Sequence, residues 1–145
     1  MPMQADIRRI LWWAWQWTWG LPQNLAGAAV CLCLRRAPRE RYRGVLVTYW
    51  PFSSCLSLGG FVFMSSRSRK LLVHEYGHSV QSALFGPLYL PLMALPSVLW
   101  FRLPPCKAYR RHRRLSYYRF YTEALANYLG ERMTGEPSMG EAFID

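Results

Sequence analysis

Three stretches of this chain carry no Asp, Glu, Lys or Arg: residues 10–34, 44–66 and 76–101. Cations bound each of them. Arg8 and Arg9 precede the first, Arg35, Arg36, Arg39, Arg41 and Arg43 separate the first two, Arg67, Arg69 and Lys70 follow the second, and a run from Arg102 to Arg114 follows the third. A membrane-crossing helix needs about 20 mostly apolar residues, so each stretch is a span, a surface element or a buried one. The first reads LWWAWQWTWG, then Leu21-Pro22-Gln23-Asn24, then LAGAAVCLCL. Trp favours the bilayer interface, and positive charge at both ends does not fit a single crossing. The polar break also spoils a straight span. Residues 1–43 are therefore expected to form an apolar helical hairpin lying in or on a membrane, with a buried aromatic helix pair as the alternative. No convincing small-residue cleavage site argues for a removed signal peptide.

The second stretch, GVLVTYWPFSSCLSLGGFVFMSS, is β-branched and aromatic on both sides of a Ser-rich turn. It predicts two short antiparallel strands, the first ending at Pro51 or lying on an edge. The third begins inside a helix that Ser66 or Ser68 can cap. There Val73, Tyr76, Val80, Ala83 and Leu84 recur at helical spacing, and Gly86-Pro87 stops them. Pro87, Pro91 and Pro96 then divide the remainder into short pieces along an apolar surface or into a bilayer. A last helix ends near Gly135. With 145 residues, 52% of them apolar, there is material for one modest core. The expectation is an α+β fold: a Trp-rich membrane-associating segment over 1–43 and a minimal domain over 44–145. Cys31, Cys33, Cys55 and Cys106 have neither zinc-finger nor redox spacing and are expected to be buried, reduced thiols.

The acids are placed as unevenly as the cations. Between Arg41 and Thr122 the sole carboxylate is Glu75, and it belongs to His74-Glu75-Tyr76-Gly77-His78. This is H-E-x-x-H on a helix. Residues i and i+4 share a face, so both imidazoles can reach one Zn²⁺, and Glu75 stands beside the ion as a general base. A solvated or core His pair is the plain alternative. Gly77 costs about 1 kcal/mol mid-helix and lies on the face of His74, His78 and Gln81, where it would let another backbone approach. A hydrolytic zinc takes three protein ligands. Acidic candidates for the third are Glu123, Glu131, Glu136, Glu141 and Asp145. Glu123 is favoured because it sits inside an apolar helix, on a small, polar face with Ser116, Ala126, Asn127 and Gly130. Asn127 could orient a ligating His. An ion pair of Glu123 with Arg119 is the competing reading, and His112 the rival ligand.

HEYGH followed by TEALAN resembles the zincin metallopeptidases, specifically the gluzincin pattern of HExxH with a downstream E-x-x-A-[DN]. The resemblance implies His74, His78 and Glu123 as metal ligands, Glu75 as catalytic base and Asn127 as the residue behind a ligand, in a small zincin-like domain. It also implies that the strand around Leu58 to Phe63 aligns an extended peptide. The wider text is similar to small bacterial proteins of presumed inner-membrane location. The expected function is zinc-dependent hydrolysis of a peptide or protein substrate, with Tyr117, Tyr118, Tyr121 or His112 steadying the developing oxyanion. The alternative is a non-catalytic membrane protein whose zinc staples a small fold. The net charge of +10 points to anionic lipid headgroups rather than nucleic acid, because the cations flank apolar segments.

Overall fold

The computed structural model describes residues 2–142. Helices α1 (Pro2–Thr18) and α2 (Leu21–Cys33) come first, joined at Gly20. Strands β1 (Arg39–Tyr42), β2 (Val45–Tyr49), β3 (Leu56–Leu58) and β4 (Phe61–Met64) follow. Helix α3 (Arg69–Phe85) leads through a 3-10 turn (Gly86–Leu88) and a π-helical turn (Leu90–Ala94) to α4 (Leu95–Arg102) and α5 (Pro104–Arg113). A second 3-10 turn (Tyr117–Arg119) precedes α6 (Tyr121–Thr134). The fold is α+β. The prolines act as the sequence requires: each of the three breaks after α3 starts a new short helical piece.

The sheet is mixed, ordered β1-β2-β4-β3. The outer pairs are antiparallel, but β2 and β4 run parallel, with Val47 opposite Val62. This corrects the expectation of antiparallel strands on either side of Pro51. Residues 50–55 carry the chain to the far edge, β3 runs back, and a tight turn at Gly59–Gly60 inserts β4 beside β2 in β2's own direction. Alternation then divides the core. Val45, Val47, Val62 and Met64 meet Leu72, Tyr76 and Val80 of α3 on one face. Phe61 and Phe63 meet Cys31 of α2 on the other. With both faces covered, all four residues of β4 are buried.

Helix α1 lies across the turns at one end of the sheet, Trp12 against Gly44 and Trp13 against Gly60. No helix among the described residues is long and apolar enough to cross a membrane. The Pro-Gln-Asn break is the first turn of α2, with its amides facing inward. Gln16, Gln23 and Asn24 are completely buried. The Asn24 amide donates to the Gln16 and Gly20 carbonyls at 2.7 and 2.9 Å and accepts the Gly60 N–H at 3.0 Å. Gln23 donates to Ser82 Oγ and to the Gly86 carbonyl, at 2.8 and 2.9 Å. All four cysteines are free, but only Cys31 is buried and Cys33 is exposed, because the inward positions of α2 go to Gln23, Asn24, Gly27 and Cys31.

Candidate metal centre

Helix α3 starts at Ser68, whose side chain accepts the Leu71 N–H, and is buried all round from Leu72 to Ala83. What lets α6 lie against it is the absence of two side chains. A Cβ on Gly77 would stand 1.8 Å from the Ala126 carbonyl oxygen, and one on Gly130 would stand 2.2 Å from that of Val73. The helices therefore touch backbone to backbone. This contact sets Glu123 and Asn127, one turn apart on α6, against His74 and His78, one turn apart on α3.

Glu123 Oε2 lies 3.1 Å from His74 Nε2 and 3.3 Å from His78 Nε2. Three donor atoms, one from each residue, fall within 4.8 Å of one another, and all three residues are buried. This group can hold a metal ion. The outer nitrogens are fixed by two amides. Gln81 Nε2 donates to the Thr122 carbonyl and Asn127 Nδ2 to that of Gly140, at 2.7 and 2.9 Å. A carbonyl only accepts, so each amide must turn its oxygen to a histidine: Gln81 Oε1 to His78 Nδ1 at 2.7 Å, Asn127 Oδ1 to His74 Nδ1 at 2.8 Å. Both Nδ1 atoms are thereby donors, and both Nε2 lone pairs face Glu123. That is the tautomer a metal requires. Two imidazoles and one carboxylate match the donor set of a catalytic zinc, so the residues present fit the ion.

Without an ion, protons take its place. Burial works against the charged form of His78, but the Glu123 carboxylate outweighs it, with help from Glu75 and Gln81, and raises the imidazole to about 9. Burial likewise opposes charge on Glu123, yet His78 and His74 hold its carboxyl well below the usual range. Its other oxygen accepts from Thr122 Oγ1 at 3.0 Å.

Glu75 is buried beside the trio. Ser57, on edge strand β3, donates to its Oε2 at 2.7 Å and approaches its carbonyl at 2.9 Å. Tyr89 in turn donates to the Ser57 carbonyl at 3.0 Å. The trio and Glu75 share the wall of a cavity of about 420 Å³, with β3, α4 and Tyr117–Tyr118 forming other walls. Tyr118 stands edge-on to the His74 ring, 4.9 Å between centroids. Burial, then the charges of Glu75 and Glu123, raise the hydroxyls of Tyr117 and Tyr118, so both keep their protons. Burial and Glu75 push the Cys55 thiol up to about 11.

Other candidates lie elsewhere. His112 is exposed on α5, and Tyr121 donates to the Leu92 carbonyl. Arg119 precedes α6 and pairs at 4.0 Å with Glu141, not with Glu123. Glu131 holds Ser138 and Glu136 holds Arg69; Asp145 lies outside the described residues. The segment Leu58 to Phe63 divides between two strands. Only β3 has an edge to offer, since β4 is paired on both sides. The basic run is not wholly solvated either: Arg110 is completely buried, its guanidinium 5.0 Å from the Trp100 ring and 5.6 Å from that of Tyr117. Sequence reasoning gave no part to Ser57, Thr122 or Tyr89, and left Gln81 without one. Gln81 alone carried a signal, its i+3 position from His78. Compared with protein-family models, curated proteins and solved structures, the chain matches none of them.

Proposed function

We propose that this chain is a zinc-dependent metallopeptidase of zincin-like, gluzincin type, working at a membrane surface. The observation that carries the reading is the convergence of His74, His78 and Glu123 on one point, next to a Ser57-held Glu75 on a cavity wall. Zinc held there supplies Lewis acidity, which polarises a peptide carbonyl and makes water acidic near neutral pH. The remaining steps belong to the chain. Glu75 takes the proton of the attacking water through one carboxylate oxygen while Ser57 steadies the other. The same carboxyl then delivers that proton to the departing amine. Tyr117 and Tyr118, kept protonated in the cavity, are the O–H donors for the oxyanion. The Leu56–Leu58 strand borders the cavity, so an extended peptide in the cleft would run beside it, displacing Tyr89 from the Ser57 carbonyl to pair with it.

A structural staple would need the trio but has no use for an oriented Glu75 facing open space, so the cavity favours the enzyme. Glu75→Gln keeps the Ser57 hydrogen bond but cannot take a proton. It should bind one zinc per chain and lose hydrolysis by about 10²–10⁴-fold. Full turnover in that variant, or a purified wild-type chain that takes up no zinc, would sink the proposal.

A further inference from the structure

The outward sides of α1 and α2 carry apolar side chains where a soluble helix carries polar ones. Helices α1 and α2 bury three amide side chains and expose Leu11 (63%), Leu25 (55%) and Leu32 (68%), and Trp15 and Trp19 are exposed too. That surface continues onto the rest of the fold. The Trp15 and Trp19 indoles donate to the Ala83 and Leu84 carbonyls at the end of α3, and Leu84 itself is exposed. Leu88, Leu92, Leu95, Leu99 and Leu103 then carry exposed apolar side chains along the 3-10 turn, the π turn, α4 and the residue after it. A belt of this extent is foreign to soluble monomers. Its occupant is marked by charge. In the sequence Arg8 and Arg9 (the latter paired with Asp6), Arg35 and Arg36, and Arg102 and Lys107 flank these apolar stretches, and no carboxylate lies between Tyr76 and Thr122. Indoles and arginines around exposed leucines match the interfacial layer of an anionic phospholipid bilayer, where amphipathic helices lie in the plane of one leaflet.

Helix α4 has two sides with different neighbours. Ser97, Val98, Phe101 and Arg102 line the cavity, whereas Leu95 and Leu99 face outward on the belt. One eight-residue helix thus separates the metal centre from the apolar belt. Val98 and Arg102 are exposed as well as cavity-lining, so they form a rim that belongs to both surfaces.

From this arrangement we infer that the cleft opens at headgroup depth along α4 and takes as substrate a polypeptide anchored in the same bilayer, cut beside its anchor. The inference rests on the peptidase reading for its substrate but not for its geometry. Anchoring confines a chain to the layer where the rim lies and raises its effective concentration there.

The test uses the full wild-type chain on phosphatidylglycerol-containing vesicles doped with a phospholipid that carries a diazirine near its headgroup. Photoadducts are expected within residues 86–103 as well as 10–34, and not within 128–134. Adducts on 10–34 alone, or failure to sediment with the vesicles, would overturn the inference. Hydrolysis is then compared for one peptide with and without a palmitoyl anchor. About 100-fold faster cutting of the anchored form is expected, and equal rates would overturn the substrate assignment. If neither form is cut while the adducts fall as expected, the peptidase reading fails and the substrate assignment with it, and the orientation stands. Leu95→Glu with Leu99→Glu, both outward-facing, should remove the advantage of the anchored peptide and leave cutting of the free one unchanged.

Discussion

Where α3 meets α6, the buried polar groups include two imidazoles and a carboxylate; where α1 and α2 meet the rest of the molecule, they are neutral amides. The first region holds His74, His78 and Glu123 around one point, each hydrogen-bonded to a neighbour, and backbone carbonyls orient the two amides among those neighbours. The second holds Gln16, Gln23 and Asn24, which bond to backbone and to Ser82 and carry no charge. In both, hydrogen bonds hold the buried polar side chains, save that Gln23 Oε1 has no partner among the described residues. They differ in what they can exchange. Ions and protons compete for the first, whereas the second can only be kept or broken, and it frees the outward side of α1 and α2 for apolar residues. The same apparent oddity, polar atoms inside, is a site in one place and glue in the other.

The largest effect is expected where the two helices touch. Gly77→Val puts a branched side chain where even a Cβ meets the Ala126 carbonyl at 1.8 Å. Backbone cannot yield as a flexible side chain can, so the cost should be about 3 kcal/mol or more. Urea melts with and without zinc would read it. A variant as stable as wild type, with zinc bound, would mean that this contact does not build the site.

Protons give the next test, and only the charged region should respond. His78 is raised from its ordinary 6.5 to about 9 in the ion-free fold. Its protonated form therefore stabilises that fold fully below 6.5, and the contribution is lost as pH rises through about 9. Glu123 runs the opposite way: its contribution is present above its ordinary value and is lost only as pH falls through the lowered one. Across the window from 6.5 to 9 the carboxylate stays ionised, and an entering ion displaces one proton. Apparent zinc affinity should climb about tenfold per pH unit up to about 9 and then level off. A flat profile measured with a competing chelator would remove His78 from the centre.

The braces come third. Asn127→Ala and Gln81→Ala each free a histidine ring to turn and should weaken zinc about 10–100-fold. Roughly equal losses are expected, since the two amides do the same work on the two rings. A silent Gln81→Ala would show that the wiring around His78 is incidental.

These roles were unequally legible in the chain. His74 and His78 stand one turn apart because helical spacing puts them there, and Gly77 between them already marked a face open to close approach. Glu123 and Asn127 repeat that spacing on a second helix. Ser57 could not be seen, because its role depends on β3 being the edge strand that passes Glu75, and that depends on the crossover inserting β4 beside β2. Nothing local in residues 44–66 distinguishes that path from a simple hairpin. Thr122 and Tyr89 are similarly placed by packing. In the Trp-rich segment the polar residues read as an interruption of an apolar stretch. They are the inner face of a helix pair, a fact carried by rotation about the helix axes rather than by composition.

The glue should fail by less than the metal centre's contact. Gln23→Leu leaves Ser82 Oγ and the Gly86 carbonyl without its amide in a buried place, at a cost of about 1–3 kcal/mol. Zinc affinity of the folded fraction should not move, because Gln23 touches neither the ligands nor their braces. A stability loss accompanied by weakened zinc would mean that the two regions are coupled through α3 and not independent.

The smallest effect on stability is expected on the outward side of α2. Leu25 is more than half exposed, so Leu25→Glu breaks no packing and should shift stability in water by less than about 0.5 kcal/mol. The same change places a carboxylate where the proposed bilayer contact lies, and vesicle binding should weaken at least tenfold. Gln23→Leu should do the reverse, harming the fold while leaving the outward leucines intact. That crossed pattern is what separates an inward face that holds the protein together from an outward face that holds it to lipid. If Leu25→Glu binds vesicles as wild type does, the exposed leucines of α2 are not its membrane contact, and the polar inner face has to be explained without one.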